Sequence, residues 1–97
     1  AALLRAATVD GHAALGRPEA GVIEPGAPAD LATVALDSVR TAGPVPRLAA
    51  EAVVFAASAA DVRHTVVAGR HIVRDGRHAL VEDVPAALAS AIAALHR

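Results

Sequence analysis

The 97-residue sequence has no cysteine, no lysine and no methionine, and its only aromatic residue is Phe55. The absence of cysteine excludes a disulfide framework and thiolate chemistry. Without large aromatics, any core has to be assembled from Ala, Val, Leu and Ile. Such small side chains bury little area each, at about 25 cal/mol per Å². A chain this short hides only about two-thirds of its unfolded surface on folding. A stable independent domain of this composition would be unusual, so the chain is expected to be part of something larger. Nine arginines stand against ten acids, for a formal net charge of −1. Neither sign forms a run, which argues against nucleic acid or an anionic membrane as partner. The longest apolar stretch, Ala86 to Leu95, carries Ser90 and is too short to span a bilayer. The opening Ala1-Ala2-Leu3-Leu4 runs at once into Arg5, unlike a signal peptide. A soluble, cytoplasmic protein is the expectation.

What is present reads as an alternation of short elements. Leu3, Leu4, Ala7, Gly11, Ala14 and Leu15 recur at three- and four-residue spacing and predict a helix over 1–15. Gly11 costs about 1 kcal/mol in such a helix relative to Ala, which suits a place where another backbone packs closely. Gly16 suits the C′ position and Pro18 prevents a restart. Residues 21–26 predict an extended segment closed by a Pro25-Gly26 turn. Asp30 to Leu36 predicts a strand, with Leu31, Thr33 and Ala35 on one face and Val34 and Leu36 on the other. A loop follows over 37–46, then a short helix over 48–57 with Leu48, Ala52, Phe55 and Ala56 on one side. Residues 62–67, 70–74 and 77–81 predict a three-strand antiparallel meander with turns at Ala68-Gly69 and Asp75-Gly76. Asp83 can cap a last helix that tolerates Pro85 in its first turn, with Val84, Leu88, Ala91, Ile92 and Leu95 as its stripe. The meander alone leaves exposed edges and an uncovered face, and the first helix has no evident partner. The missing partners are expected to lie upstream.

The residues offer few candidates for chemistry. With a turn at Ala68-Gly69, Val67 faces Arg70, Val66 faces His71 and His64 faces Val73. His64 and His71 then become diagonal neighbours on one face. They could be two legs of a metal site, because imidazole is the commonest zinc ligand. A site needs a third ligand and an open position, and no carboxylate clearly converges, so two polar residues on a solvated hairpin face is the favoured reading. His12, His78 and His96 show no partner spacing. Ser58, Asp61 and His64 are close in sequence, but no nucleophile elbow accompanies them. Asp61 reads better as a turn residue where a strand begins. Asp30 could be functional, but it is better read as bonding the backbone of its own turn. Neither phosphate-binding glycine pattern is present. Taken alone, these residues describe part of a soluble α+β protein without a convincing active site.

Three stretches in register resemble the C-terminal part of the amidohydrolase superfamily, and the likeness covers nearly the whole chain. Ala7-Thr8 with Gly11 and Ala14-Leu15-Gly16 is similar to that superfamily's "AT…GA…LG" segment. Gly21-Val22-Ile23-Glu24-Pro25-Gly26 with Ala29-Asp30-Leu31 is similar to its "G.lepG..ADlvvl" segment. Val62 to Gly69 with Asp75-Gly76 is similar to its closing hairpin. Within the superfamily, two further stretches look most like the formimidoylglutamate deiminases. One is Leu36-Asp37-Ser38-Val39-Arg40-Thr41-Ala42-Gly43. The other runs from Val54-Phe55-Ala56-Ala57 through Asp61-Val62-Arg63-His64 to Asp75-Gly76-Arg77-His78. Deaminases of guanine or methylthioadenosine, and triazine chlorohydrolases, share the general hairpin.

The resemblance implies an α+β fragment made of three parts. Residues 1–17 would be the last outer helix of a (β/α)₈ barrel. Residues 18–82 would supply the C-terminal strands of a flanking composite β-sandwich with an inserted short helix. Residues 83–97 would form a terminal helix. It further implies a hydrolase using one divalent metal, usually zinc, which lowers the pKa of a bound water. The substrate would be N-formimino-L-glutamate, converted to N-formyl-L-glutamate and ammonia in histidine degradation. The family's metal-binding and catalytic residues sit at the C-terminal ends of barrel strands, upstream of the position matching Ala1. No catalytic, metal-binding or substrate-binding role therefore passes to His12, His64, His71, His78 or any other residue here. The fragment alone is expected to bind no metal and to be inactive. The missing N-terminal part of the same chain is its implied partner, and a homodimer is a family expectation. Two other readings are a free-standing module that binds a partner through an exposed sheet edge and a small metal-binding protein built on His64 and His71.

Overall fold

A computed structural model describes residues 2–96 and begins with a continuous right-handed helix. It consists of α1 (Ala2–Arg5), a wider π-helical segment (Ala6–Asp10) and α2 (Gly11–Ala14). The predicted start at Ala1 lies outside the described residues. The wide segment departs from a simple amphipathic helix, and its local chemistry is visible. A Cβ on Gly11 would lie 2.7 Å from the Ala6 carbonyl oxygen, so the backbone Gly11 admits is that of its own helix, five residues back. Thr8 Oγ1 donates to the Leu4 carbonyl at 2.8 Å, and His12 Nδ1 donates to the Thr8 carbonyl at 2.6 Å. The close approach of a separate segment falls on Gly21 instead. Its φ is +82°, and a Cβ there would lie 2.5 Å from Thr8 O and 2.9 Å from Val9 N.

The helix ends as its sequence predicts. Gly16 has φ +78°, the Gly16 N–H donates to Ala13 O and the Arg17 N–H to His12 O. These two bonds make a Schellman motif that satisfies the last carbonyls. The Pro25-Gly26 turn also forms, closed by Ala27 N–H donating to Glu24 O, with Gly26 at φ +88°. The extended segment over 21–26 does not become a strand, and the first strand is β1 (Leu31–Val34).

β1 joins β2 (Val62–Val67), β3 (Arg70–Arg74) and β4 (Arg77–His78) in one antiparallel sheet of order β1-β2-β3-β4. Both meander turns have two consecutive positive-φ residues, Ala68 (+50°) with Gly69 (+80°) and Asp75 (+51°) with Gly76 (+76°). That is the type I′ geometry whose twist matches paired strands. Two irregularities interrupt the ladders, and the one between β2 and β3 alters the predicted register. Thr33 faces His64 but Val34 faces Val62, and Val66 faces His71 but Thr65, not His64, faces Val73. Each bulge breaks the two-residue alternation, so β1 stops at Val34 and not at Leu36. β4 stops at His78 and not at Val81, because His78 Nδ1 accepts the N–H groups of Leu80 and Val81 and turns the chain away.

Between β1 and β2 lie a 3₁₀ turn (Pro46–Leu48), α3 (Ala49–Phe55) and a second 3₁₀ turn (Ala59–Asp61). α1 does have a neighbour: Leu3 and Leu4 share an apolar hollow with Ala50, Val54 and Phe55 of α3. The hollow is shallow, and Phe55 remains 75% exposed rather than packed on a core face. The last helix, α4 (Val84–Leu95), is capped by Asp83 Oδ1 accepting the Ala86 N–H at 3.0 Å. No residue of α4 is buried, and Val84, Leu88, Ile92 and Leu95 all face solvent.

Among the described residues only Ala20, Thr41 and Asp61 are buried. The accessible surface is 7287 Å², against about 5,100 Å² for a folded monomer of this mass. The radius of gyration is 16.1 Å, against about 12.5 Å for a self-contained domain of this length. Secondary structure is therefore complete while the apolar faces it creates stay uncovered. The 97 residues alone are expected to melt broadly and without cooperativity by circular dichroism; a sharp sigmoidal transition would contradict this. In the intact protein, Gly21→Ala should lower stability by more than Gly26→Ala. Both pay about 1–2 kcal/mol for a left-handed Ala, but only Gly21 also meets a carbonyl, and urea midpoints of the two variants check the ranking.

Candidate functional site

The best-organised polar group is centred on Asp61, one of the three buried residues. Asp61 closes the 3₁₀ turn at the start of β2, where a reciprocal capping box with Ser58 forms. Its Oδ2 accepts the Ser58 N–H at 2.9 Å. Arg40 donates Nε to Oδ2 and Nη2 to Oδ1, both at 2.9 Å, in a bidentate pair. The Asp61 carbonyl accepts the Ala35 N–H at 2.8 Å, extending the β1–β2 ladder by one bond. The Arg40 hydrogen bonds, then the Ser58 N–H and the Ser38 hydroxyl, hold the Asp61 carboxyl well below the usual carboxylate range against the opposing effect of burial. Arg40 is itself set by a tight turn. Arg40 N–H and Thr41 N–H donate to Ser38 Oγ, and buried Thr41 donates Oγ1 to the Ala35 carbonyl at 2.9 Å.

Asp61 is thus the turn residue that its sequence position suggests, with one addition. Its partner, 21 residues earlier, was not identified from the sequence. The available signal was that Arg40 and Asp61 each lie in one of the two stretches carrying the deiminase resemblance. Ser58 serves as a cap, and its hydroxyl accepts the Ala60 N–H, not a base.

Asp30 corrects a second expectation. Its Oδ1 does not bond its own turn; it accepts the Ala68 N–H at 2.8 Å, across 38 residues. The Gly69 N–H donates to Ala29 O at 3.0 Å beside it. Together they clasp the β2–β3 turn and hold Ala68, an L-residue at positive φ, in a conformation it rarely adopts.

His64 and His71 do come together, with ring centroids 6.2 Å apart and planes at 77°. The bulge in β3 takes Val73 from His64 and leaves His71 opposite Val66 as predicted, and the two rings stay in contact. His64 Nδ1 accepts the Asp75 N–H at 3.2 Å, and its Nε2 lies 3.7 Å from Asp75 Oδ1. One ring nitrogen is therefore committed to the turn. Among the described residues, no three His, Asp or Glu side chains converge as a metal centre requires. His12 is bound to its own helix through Thr8, His78 to the chain after β4, and His96 follows the end of α4. His12, His64 and His78 are thus committed to backbone groups, and the set does not fit a resident zinc ion.

The amidohydrolase family profile matches residues 1–72. Among solved structures, a mutant of the atrazine chlorohydrolase TrzN from Arthrobacter aurescens TC1, complexed with zinc and atraton, matches with 33% identity over 94% of this chain and a TM-score of 0.80. TrzN complexed with zinc matches with 32% identity over 94% of this chain and a TM-score of 0.78. In both cases the chain spans 19% of the length of the structure it matches. Comparison with curated proteins gives no match. No helix among the described residues is long and apolar enough to cross a membrane.

The depressed carboxyl of Asp61 gives a signed pH dependence. Its contribution to stability is complete above the unfolded carboxyl value of about 3.9 and is lost as pH falls through the lower folded value. Arg40→Gln raises that folded value, so protection of the Ala35 amide in hydrogen exchange on the intact protein should be lower at neutral pH and begin to fail at higher pH than in wild type. Unchanged exchange would show that the pair does not hold the loop. Zinc titrated into the chain should give no stoichiometric binding, and a tight one-to-one isotherm abolished by His71→Ala would reverse the reading of the histidine pair.

Proposed function

The chain belongs to the amidohydrolase family, and from that premise we propose that it is the C-terminal part of a metal-dependent hydrolase of carbon–nitrogen bonds. The observation that carries this is the family match over residues 1–72, supported by the likeness to a zinc-complexed hydrolase along almost the whole chain. In this reading residues 1–17 are the outer helix closing a (β/α)₈ barrel. Residues 18–82 complete a composite β-sandwich with strands from elsewhere in the protein, and 83–97 form a terminal helix. The exposed faces of the sheet, of Phe55 and of α4 are then contact surfaces for the rest of the polypeptide.

The described residues do not fit a metal, so no step of the reaction is assigned to them. In the whole enzyme a divalent ion, zinc by analogy with TrzN, would supply an activated water, held by residues outside this chain. This chain's own groups act structurally: the Arg40–Asp61 pair fixes the loop between β1 and β2, and Asp30 fixes the first hairpin turn. The proposed reaction is hydrolysis of N-formimino-L-glutamate to N-formyl-L-glutamate and ammonia, in the cytoplasm, by an enzyme that forms a homodimer. The two stretches resembling formimidoylglutamate deiminases support it, and in the fold they are joined by that ion pair. A second reading, displacement of a substituent from a chlorinated triazine, is favoured by the likeness to the triazine hydrolases.

The two readings differ in leaving group. The whole enzyme should release ammonia from N-formimino-L-glutamate, lose that activity to a chelator and regain it with zinc. Chloride release from a chlorinated triazine, with no ammonia from the formimino substrate, would establish the second reading and overturn the first.

A further inference from the structure

The meander concentrates basic side chains that the linear sequence keeps apart. Residues 62–78 contain Arg63, Arg70, Arg74 and Arg77 with three histidines, and Asp75 is the sole acid among them. The second hairpin sets Arg74 directly opposite Arg77. Side chains so placed have Cβ atoms about 4.5–5.5 Å apart, and like charges there destabilise the pair. Four other arginines meet acids, Arg5 with Asp10, Arg17 with Glu19, Arg40 with Asp61 and Arg63 with Asp75, whereas Arg47 and Arg70 have no ion pair among the described residues but face no second arginine across a strand pair. Among the described residues neither Arg74 nor Arg77 has an ion pair or a side-chain hydrogen bond.

The two guanidinium-bearing residues also border a concavity. His71, Arg74, Asp75, Arg77, His78 and Ala79 line one open depression beside the turn. Asp75 is the single negative group in its wall. Its Oδ1 lies 3.8 Å from Arg63 Nη2 and 3.7 Å from His64 Nε2, so its charge is engaged toward β2. His78 Nδ1 is occupied as an acceptor from Leu80 and Val81, which leaves the Nε2 nitrogen as the donor of its neutral ring. The wall therefore offers two planar forks and an imidazole donor; its one acid, Asp75, is turned toward β2, and Glu82 and Asp83, which share a second hollow with Arg77, form no ion pair with it.

We propose that Arg74 and Arg77 form a binding site for a small oxyanion, a phosphate or a dicarboxylate, that bridges the two guanidinium groups. Guanidinium forks match the paired oxygens of both ligand types. The bridging anion converts a repulsive cross-strand pair into an attractive one and stabilises the second hairpin. Its test does not depend on activity.

The test is thermal melting of the intact protein in increasing inorganic phosphate, with sodium chloride adjusted to constant ionic strength, and a parallel series in succinate. The expected result is a saturable rise of about 2 °C that is reduced in Arg74→Gln and in Arg77→Gln and absent in the double variant. Without added oxyanion, the double variant should melt at or above the wild-type temperature, because the like-charge repulsion is gone. Arg77→Lys, which keeps the charge but loses the fork, should retain only part of the response. A melting temperature insensitive to phosphate and succinate at fixed ionic strength would overturn the proposal. So would a double variant that melts below wild type without added anion, since an acidic side chain of the same protein would then already occupy the pair.

Discussion

The contact between half-exposed Arg40 and buried Asp61 is the constraint on which the middle of this structure depends. With almost no apolar core, the chain cannot hold the long excursion between β1 and β2 by burial. Charge and hydrogen bonding do it instead: one carboxylate receives a bidentate guanidinium and a backbone N–H while its own carbonyl lengthens the sheet. Removing Arg40 is the disruptive change, because it leaves the buried Asp61 carboxylate without its countercharge, whereas Arg40 itself keeps access to water. Buried Thr41, tied to the Ala35 carbonyl, keeps Arg40 aimed at Asp61.

Much of the local structure was legible because short-range chemistry determines it. Gly16, Pro25-Gly26, Ala68-Gly69, Asp75-Gly76 and Asp83 each specify a cap or a turn through their own φ preference or side-chain acceptor, and each forms where predicted. Most departures lie where distant residues intervene, and one arises from a local side-chain cap. Asp30 reaches a turn 38 residues away, and bulges near Thr33 and Thr65 shift the pairing that a strict two-residue alternation predicts. His78 ends β4 by capping the chain that follows, which strand propensity does not register.

The contact between His64 and His71 follows from turn placement, and in the structure His64 Nδ1 serves the hairpin by accepting the Asp75 N–H. The pairing of Arg40 with Asp61 has no local periodicity to reveal it. Family membership came from spaced motifs whose physical content is turn geometry, so it speaks to architecture more directly than to chemistry. The uncovered apolar faces of α4 and the sheet agree with a chain that spans 19% of the structures it matches.

The wide segment over residues 6–10 has a consequence for how this helix meets its neighbours. A π-helical turn is equivalent to one additional residue accommodated inside an α-helix. Each residue of an α-helix accounts for about 100° of rotation and 1.5 Å of rise. Deleting one residue between Ala6 and Asp10 would let α1 and α2 fuse into a regular helix, but it would also swing one half of the helix relative to the other. Either Leu3 and Leu4 would turn away from α3, or the Thr8–Val9 peptide would leave its seat against Gly21. The irregularity acts as a phase adjuster, letting one short helix satisfy two neighbours whose bearings a uniform helix could not match at once.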